Sequence, residues 1–123
     1  MEKIPPQNIE AEKSVLGSML LDKDALINVS GWLQPGHFYD DRHALIYQNI
    51  LELFEHGLPI DLVTISDRLK KKKILVKVGG RAYLTELASF VPTSAHVEEY
   101  ANIVKENATR RGLISSASQI TTL

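Results

Sequence analysis

The chain has no cysteine among its 123 residues. A disulfide framework and any thiolate-ligated zinc or iron site are therefore excluded. Positive charge is not in excess either: 14 Lys and Arg stand against 15 Asp and Glu, a formal net charge of -1. A domain that grips nucleic acid tightly draws most of its affinity from phosphate neutralisation and usually carries a basic balance. The count therefore argues for little direct DNA binding. No apolar stretch approaches the ~20 residues needed to cross a bilayer. The opening Met1–Pro6 lacks the apolar run of a signal peptide. A soluble cytoplasmic protein with no membrane partner is expected.

Signatures of chemistry are missing as well. There is no G-x-x-x-x-G-K-[ST] phosphate loop. The Gly79-Gly80 pair is not followed by Lys and sits in no βαβ pattern. H-E-x-x-H and G-x-S-x-G are also absent. No catalytic residue, cofactor or enzymatic activity is predicted for this chain. His37, Asp40, Asp41 and His43 come nearest to a metal cluster. A zinc site needs three or four convergent ligands. The preferred reading is a helix N-cap, Asp40 or Asp41, flanked by one surface and one packed histidine. A small hydrolase around His37 and His43 is the alternative there. His56 and His96 stand alone.

What the sequence does have is helical periodicity. Hydrophobic residues make up 44%, enough for a globular core. Pro5-Pro6 reads as an extended lead-in. Asn8 can cap a first helix from Ile9 to Leu21, with Val15, Leu16, Met19 and Leu20 inward and Glu10 and Glu12 near its positive end. Gly17 inside it predicts close packing by another helix. Asp22 can cap a short second helix to Val29, whose apolar set Trp32 and Leu33 extend. Asp40 or Asp41 opens a third, carrying Leu45, Ile46, Ile50, Leu53 and Phe54 and stopping at Gly57. Asp61 caps a fourth with Leu62, Ile65 and Leu69, and Lys70–Lys73 fall in its last turn. Those lysines read as a solvated helix end rather than a DNA contact, since cations suit that end of the dipole. Ile74–Val78 is strand-like in composition but has no partner strand, so it is expected to be irregular. A fifth helix carries Tyr83, Leu84, Leu87 and Ala88 and ends before Pro92.

The last segment carries the functional argument. Thr93 or Ser94 can cap a helix running to residue 123, with no further Pro and one Gly, Gly112. Val97, Ala101, Val104 and Ala108 form one stripe; Tyr100, Ile103, Ile114, Ala117 and Ile120 form a second. Some thirty residues span ~45 Å, more than the ~35 Å diameter of a domain this size. The distal half then needs apolar cover from elsewhere. More chain is expected to follow, folding back as a helical hairpin. The predicted fold is all-α. A helical globule (1–92) is followed by a long hairpin helix (93–123).

Ile4-Pro5-Pro6-Gln7-Asn8-Ile9-Glu10-Ala11-Glu12 and Ser14-Val15-Leu16-Gly17 open a series that continues through Phe38-Tyr39, His43 and Gly57–Thr64. It then takes in Gly79-Gly80, Ala82-Tyr83-Leu84, Pro92, Tyr100-Ala101, Ile103-Val104 and Arg111–Ile114. In order and spacing this resembles the N-terminal region of bacterial DnaB-type replicative DNA helicases, over nearly the whole chain. The resemblance implies a scaffold domain that carries no chemistry and acts at the replication fork beside the nucleoid. The missing part would be a RecA-like motor using ATP and Mg. Paired hairpins would join subunits into dimers and a hexameric collar. The collar would recruit the C-terminal helicase-binding domain of primase, and in some bacteria a loader. Matched positions make Tyr83 and Ile114 candidates for partner contact, and helical facing adds Ile120. Ile103, Leu113 and Ala117 are candidates for the subunit interface. Lys70–Lys73 and Lys77 depart from a commonly more acidic stretch, and His96 stands where Asn is frequent. A helix-turn-helix DNA-binding regulator, with Asp61–Lys73 as recognition helix, is the alternative. Its basic residues, however, sit at the wrong end of that helix.

Overall fold

The Asn8 side chain accepts the Ala11 N–H at 2.9 Å and so starts α1 (Ile9–Leu21). From there the computed structural model describes residues 4–121, with side chains through 119. Next come α2 (Asp24–Val29), one 3₁₀ turn (Pro35–His37) and α3 (Asp41–Glu55). They are followed by α4 (Leu62–Lys71), α5 (Gly80–Ala88) and α6 (Val97–Thr121). The described residues include no strand, so the fold is all-α as expected. Asp40 caps α3 by accepting from Arg42 N–H, and Asp61 caps α4 reciprocally with Thr64.

Helix α1 is the axis. It packs against α2, α3, α5 and α6, and from Ala11 to Leu20 only Lys13 escapes burial. A helix surrounded on all sides buries its whole circumference rather than one stripe. The Ser14 and Ser18 hydroxyls avoid stranding by donating to the carbonyls of Glu10 and Ser14, each at 2.7 Å. At Gly17 a Cβ would stand 2.4 Å from the Leu87 carbonyl oxygen on α5, so this glycine is a packing requirement. Around α1 the core is built from Leu26, Leu33, Ile46, Tyr47, Ile50, Ile65, Leu69, Leu84 and Leu87. The first turns of α6 complete it through Val97, Ala101 and Val104. Tyr47 is fully enclosed, and its hydroxyl donates to the Leu33 carbonyl at 2.8 Å. Burial pushes its ionisation well above the ordinary tyrosine range.

Two local outcomes differ from the sequence reading. Helix α6 begins at Val97 rather than next to Thr93 or Ser94. Ala95 N–H donates to Thr93 Oγ1 at 3.2 Å and Val97 N–H to the Ser94 carbonyl at 3.3 Å. The cap-type residues thus make turns ahead of the helix. Gln34–Gly36, read as a simple break, closes into the 3₁₀ turn. Residues 74–78 are a run of turns, as expected, with Val78 buried. Helix α4 ends with Lys73 N–H on the Lys70 carbonyl and Ile74 N–H on the Leu69 carbonyl, and Lys73 sits at φ 62°. This is a Schellman closure whose left-handed position holds lysine where glycine is usual, a conformation costing ~1–2 kcal/mol for a residue with a Cβ.

Candidate docking site

Two surfaces hold the candidate residues, and they are separate features of the fold. The first is the far half of α6. At 1.5 Å per residue, its 25 residues extend ~37 Å. Val97, Ala101 and Val104 are buried, yet Leu113 and Ile114 are 66% and 56% exposed. Ile114 lines a groove of about 690 Å³ with Ile4, Pro5, Pro6, Arg111 and Ser118. Arg111 holds this groove together. Its guanidinium donates at 2.8 Å to the Pro6 carbonyl and at 2.8 Å to the His37 carbonyl, and lies 5.5 Å over the Tyr39 ring. Those bonds tie the extended proline segment, the 3₁₀ turn and α6 together where the body ends. Burial, with Lys105 and Arg111 nearby, holds His37 below its usual range. Its unprotonated Nδ1 accepts from Gln34 N–H at 2.9 Å.

The second surface centres on Tyr83 of α5. Its hydroxyl lies 2.5 Å from His43 Nε2, and His43 Nδ1 lies 2.8 Å from Glu12 Oε1. With the carboxylate as acceptor, Nδ1 carries the hydrogen and Nε2 accepts from the tyrosine. Glu12 also accepts the backbone N–H groups of Tyr39 and Asp40, at 2.7 and 3.2 Å. Glu12 and His43 are both buried, and together they link α1, α3 and α5. Tyr83 itself is half-buried. Arg42 lies 4.3 Å over that ring, while Lys13 lies 4.7 Å over Phe90 and pairs with Glu86 at 2.7 Å. Burial raises the Tyr83 hydroxyl's ionisation, opposed by Arg42 and assisted by Asp40. At Asp40 burial acts upward, but hydrogen bonds from Arg42 outweigh it and hold the carboxyl below its ordinary range.

The predicted residues distribute as follows. Leu113, Ile114 and Ala117 are exposed on distal α6. Ile103 is half-buried against the core and borders a recess with Ala11, Ser14, Val91 and Tyr100. Tyr83 belongs to the α1–α3–α5 cluster. Ile120 falls in the last turn of α6, and its side chain lies outside the described residues. Of the sequence's potential ligands, Asp40 is the α3 cap, His43 the packed histidine and His37 the half-exposed one. No group of three metal-ligating side chains occurs among the described residues. No helix among them is long and apolar enough to cross a membrane. The sequence reading named Glu12 only as a helix-dipole partner and motif residue and Arg111 only within a matched motif, and gave neither its bonding role. Glu12 had a signal: it precedes Val15 and Leu16 by three and four residues, which puts a carboxylate on the apolar side.

A long sixth helix rooted in a globule of five others is the architecture of known proteins. Over 119 residues the chain is 46% identical to the replicative DNA helicase DnaB of Geobacillus stearothermophilus, covering 97% of this chain and 26% of that protein. It is 45% identical to the replicative DNA helicase DnaC of Bacillus subtilis, with the same coverage. The chain thus spans about a quarter of the length of these curated relatives. The crystal structure of the N-terminal domain of DnaB helicase from Mycobacterium tuberculosis superposes with a TM-score of 0.94 at 43% identity. That match covers 97% of this chain and 86% of the other. A solved structure of a DnaB-like replicative helicase and its interactions with primase matches at TM-score 0.82 and 33% identity, over 94% of this chain and 27% of that one. A profile of the DnaB-like helicase N terminal domain spans residues 4–106, and it is to this family that the chain belongs.

Proposed function

We propose that this chain is the non-catalytic scaffold of a replicative DNA helicase. In this reading it joins subunits into a ring and recruits primase, and in some settings a loader, through exposed helical surfaces. One observation carries the reading. A single helix buries Val97, Ala101 and Val104 along one face of its first turns and presents Leu113 and Ile114 to solvent in its later ones. Apolar side chains on a rigid rod that leaves its own body are the form of a docking surface, with anchors at the centre and a polar rim. Related replicative helicases, one solved with its interactions with primase, support primase as the partner. Ile103, Leu113 and Ala117 are proposed for self-association; Tyr83, Ile114 and Ile120 are proposed for the partner. ATP, Mg and the motor are assigned to parts of the helicase other than these residues. A scaffold acts by raising the local concentration of primase at the emerging strand, in the cytoplasm at the replication fork.

The test is a calorimetric titration of the chain with the cognate primase C-terminal domain, repeated with Tyr83→Ala and Ile114→Ala. Each truncation is expected to weaken binding at least about tenfold, the effect of losing a hot-spot side chain. Binding unchanged in both variants removes these residues from the site, and no binding by the unmodified chain removes primase as its partner.

A further inference from the structure

The net charge of -1 conceals a strong segregation. Seven of the fourteen basic residues lie between Arg68 and Arg81, a stretch without one acidic residue. The rest of the chain carries seven basic residues against fifteen acidic ones. Within the stretch, Arg68 and Lys72 both pair with Glu52, and Lys71 pairs with Asp67 at 2.9 Å. Lys70, Lys73, Lys77 and Arg81 are exposed, with no carboxylate partner among the described residues. The helix dipole accounts for cations through the end of α4 at Lys71. It does not account for Lys73 and Lys77, which lie beyond it.

Lys73 supplies an independent observation. It occupies the left-handed position of the Schellman closure at φ 62°, where glycine would relieve strain. Strain retained at an exposed position directs attention to the side chain placed there. Turns fix the rest of the loop: Val78 N–H donates to the Ile74 carbonyl, Gly79 N–H to Val76 and Gly80 N–H to Leu75. Lys73 and Lys77 therefore ride on a closed loop whose tip, Val76, is 90% exposed.

We infer that the α4–α5 loop is a phosphate-contacting surface for nucleic acid, formed by Lys70, Lys73 and Lys77. Ammonium groups are compact point charges that meet phosphate oxygens without demanding a fixed geometry. Between Arg68 and Arg81 there is no aromatic residue to stack on a base and no Asn or Gln to read one. The surface therefore selects charge and not sequence. The acidic remainder of the domain repels the same polyanion, so that only this face meets it. An anionic lipid surface is the poorer fit, because Val76 alone offers little apolar area for insertion. This inference goes beyond the docking reading and does not depend on self-assembly or on primase.

Fluorescence anisotropy of a labelled duplex and a labelled oligo-dT strand tests it, each titrated with the 123-residue chain. Weak binding to both is expected at low salt. For the duplex, three phosphate contacts give a slope of about -3 in log K against log salt, and for the single strand about -2. The Lys70→Gln/Lys73→Gln/Lys77→Gln variant is expected to lose about tenfold or more in affinity at low salt. Lys73→Gly guards against a folding artefact: its Tm should rise or hold while affinity falls about twofold. No binding at low salt, a salt-independent signal, or affinity unchanged in the triple variant overturns the proposal. So does tighter binding to phosphatidylserine vesicles than to either oligonucleotide.

Discussion

The two halves of α6 share one backbone geometry and differ in what surrounds them. In the near half, Val97, Ala101 and Val104 fill a gap beside α1, and each is at most 2% exposed. In the far half, Leu113 and Ile114 are comparably apolar and face outward. Composition does not distinguish them; position along the rod does. The helix runs on past the last residues it packs against, so the same residue types are buried at one end and exposed at the other. Arg111 marks the changeover, because its guanidinium bonds the carbonyls of Pro6 and His37 where the body ends.

The comparison breaks or holds on a matched pair of substitutions. Val104→Asp places an unpaired charge in the core and is expected to cost more than ~4 kcal/mol, enough to unfold a domain of marginal stability. Ile114→Asp should stay within ~0.5 kcal/mol in the same urea titration. Equal losses would erase the distinction between the halves. Gly17→Ala comes next: a methyl pressed against the Leu87 carbonyl must separate α1 from α5, for a loss of ~3 kcal/mol by thermal unfolding. Arg111→Ala sharpens the boundary. Losing two charge-assisted bonds to partly buried carbonyls should cost ~1 kcal/mol and speed hydrogen exchange at the Gln7 amide more than in α1, since Pro5 and Pro6 carry no amide hydrogen.

The smallest effect is on pH. Asp40 and Glu52 are held below the ordinary carboxylate range, Glu52 chiefly by hydrogen bonds from Lys72 and Arg68. A depressed carboxylate contributes stability above its unfolded value and loses it as pH falls through the folded one. His37 is also depressed, from 6.5, so the unfolded chain binds its proton first. Its contribution is complete above pH 6.5 and declines below. A Tm series should therefore show a shallow decline below pH 6.5 that His37→Phe removes. The main acid loss should come lower, through the range of Glu52 and Asp40. A flat profile down to pH 4 would count against the His37 shift, and no further loss below pH 4 would count against the two carboxylate shifts.

Much of this fold was legible because its signals are local. Asn8, Asp40 and Asp61 are caps that need only the next three residues to act, and the bounds of α1 follow from one cap and one apolar run. Gly17 announced close packing by being glycine in a helix. The Glu12–His43–Tyr83 chain was not legible, since its members are joined only once α1, α3 and α5 meet. Tyr47 was not among the expected core residues of α3, and the distant Leu33 carbonyl that makes its burial tolerable cannot be read from its neighbours in sequence. The basic run was visible as Lys70–Lys73 and Lys77 but was read as a solvated helix end, because the net charge averages over surfaces that point in different directions. The overhang could be read because length is additive: rise per residue against domain diameter needs no tertiary contact.

The central claim is that the far half of α6 is an interface and the near half is core. Hydrogen exchange along this helix, with and without the primase C-terminal domain, tests it directly. The chain alone should show strong protection around Ala101–Val104 and fast exchange from Gly112 onward, and the partner should slow exchange in the far half only. Equal protection along the whole helix in the isolated chain, or no slowing when primase is added, would contradict the account.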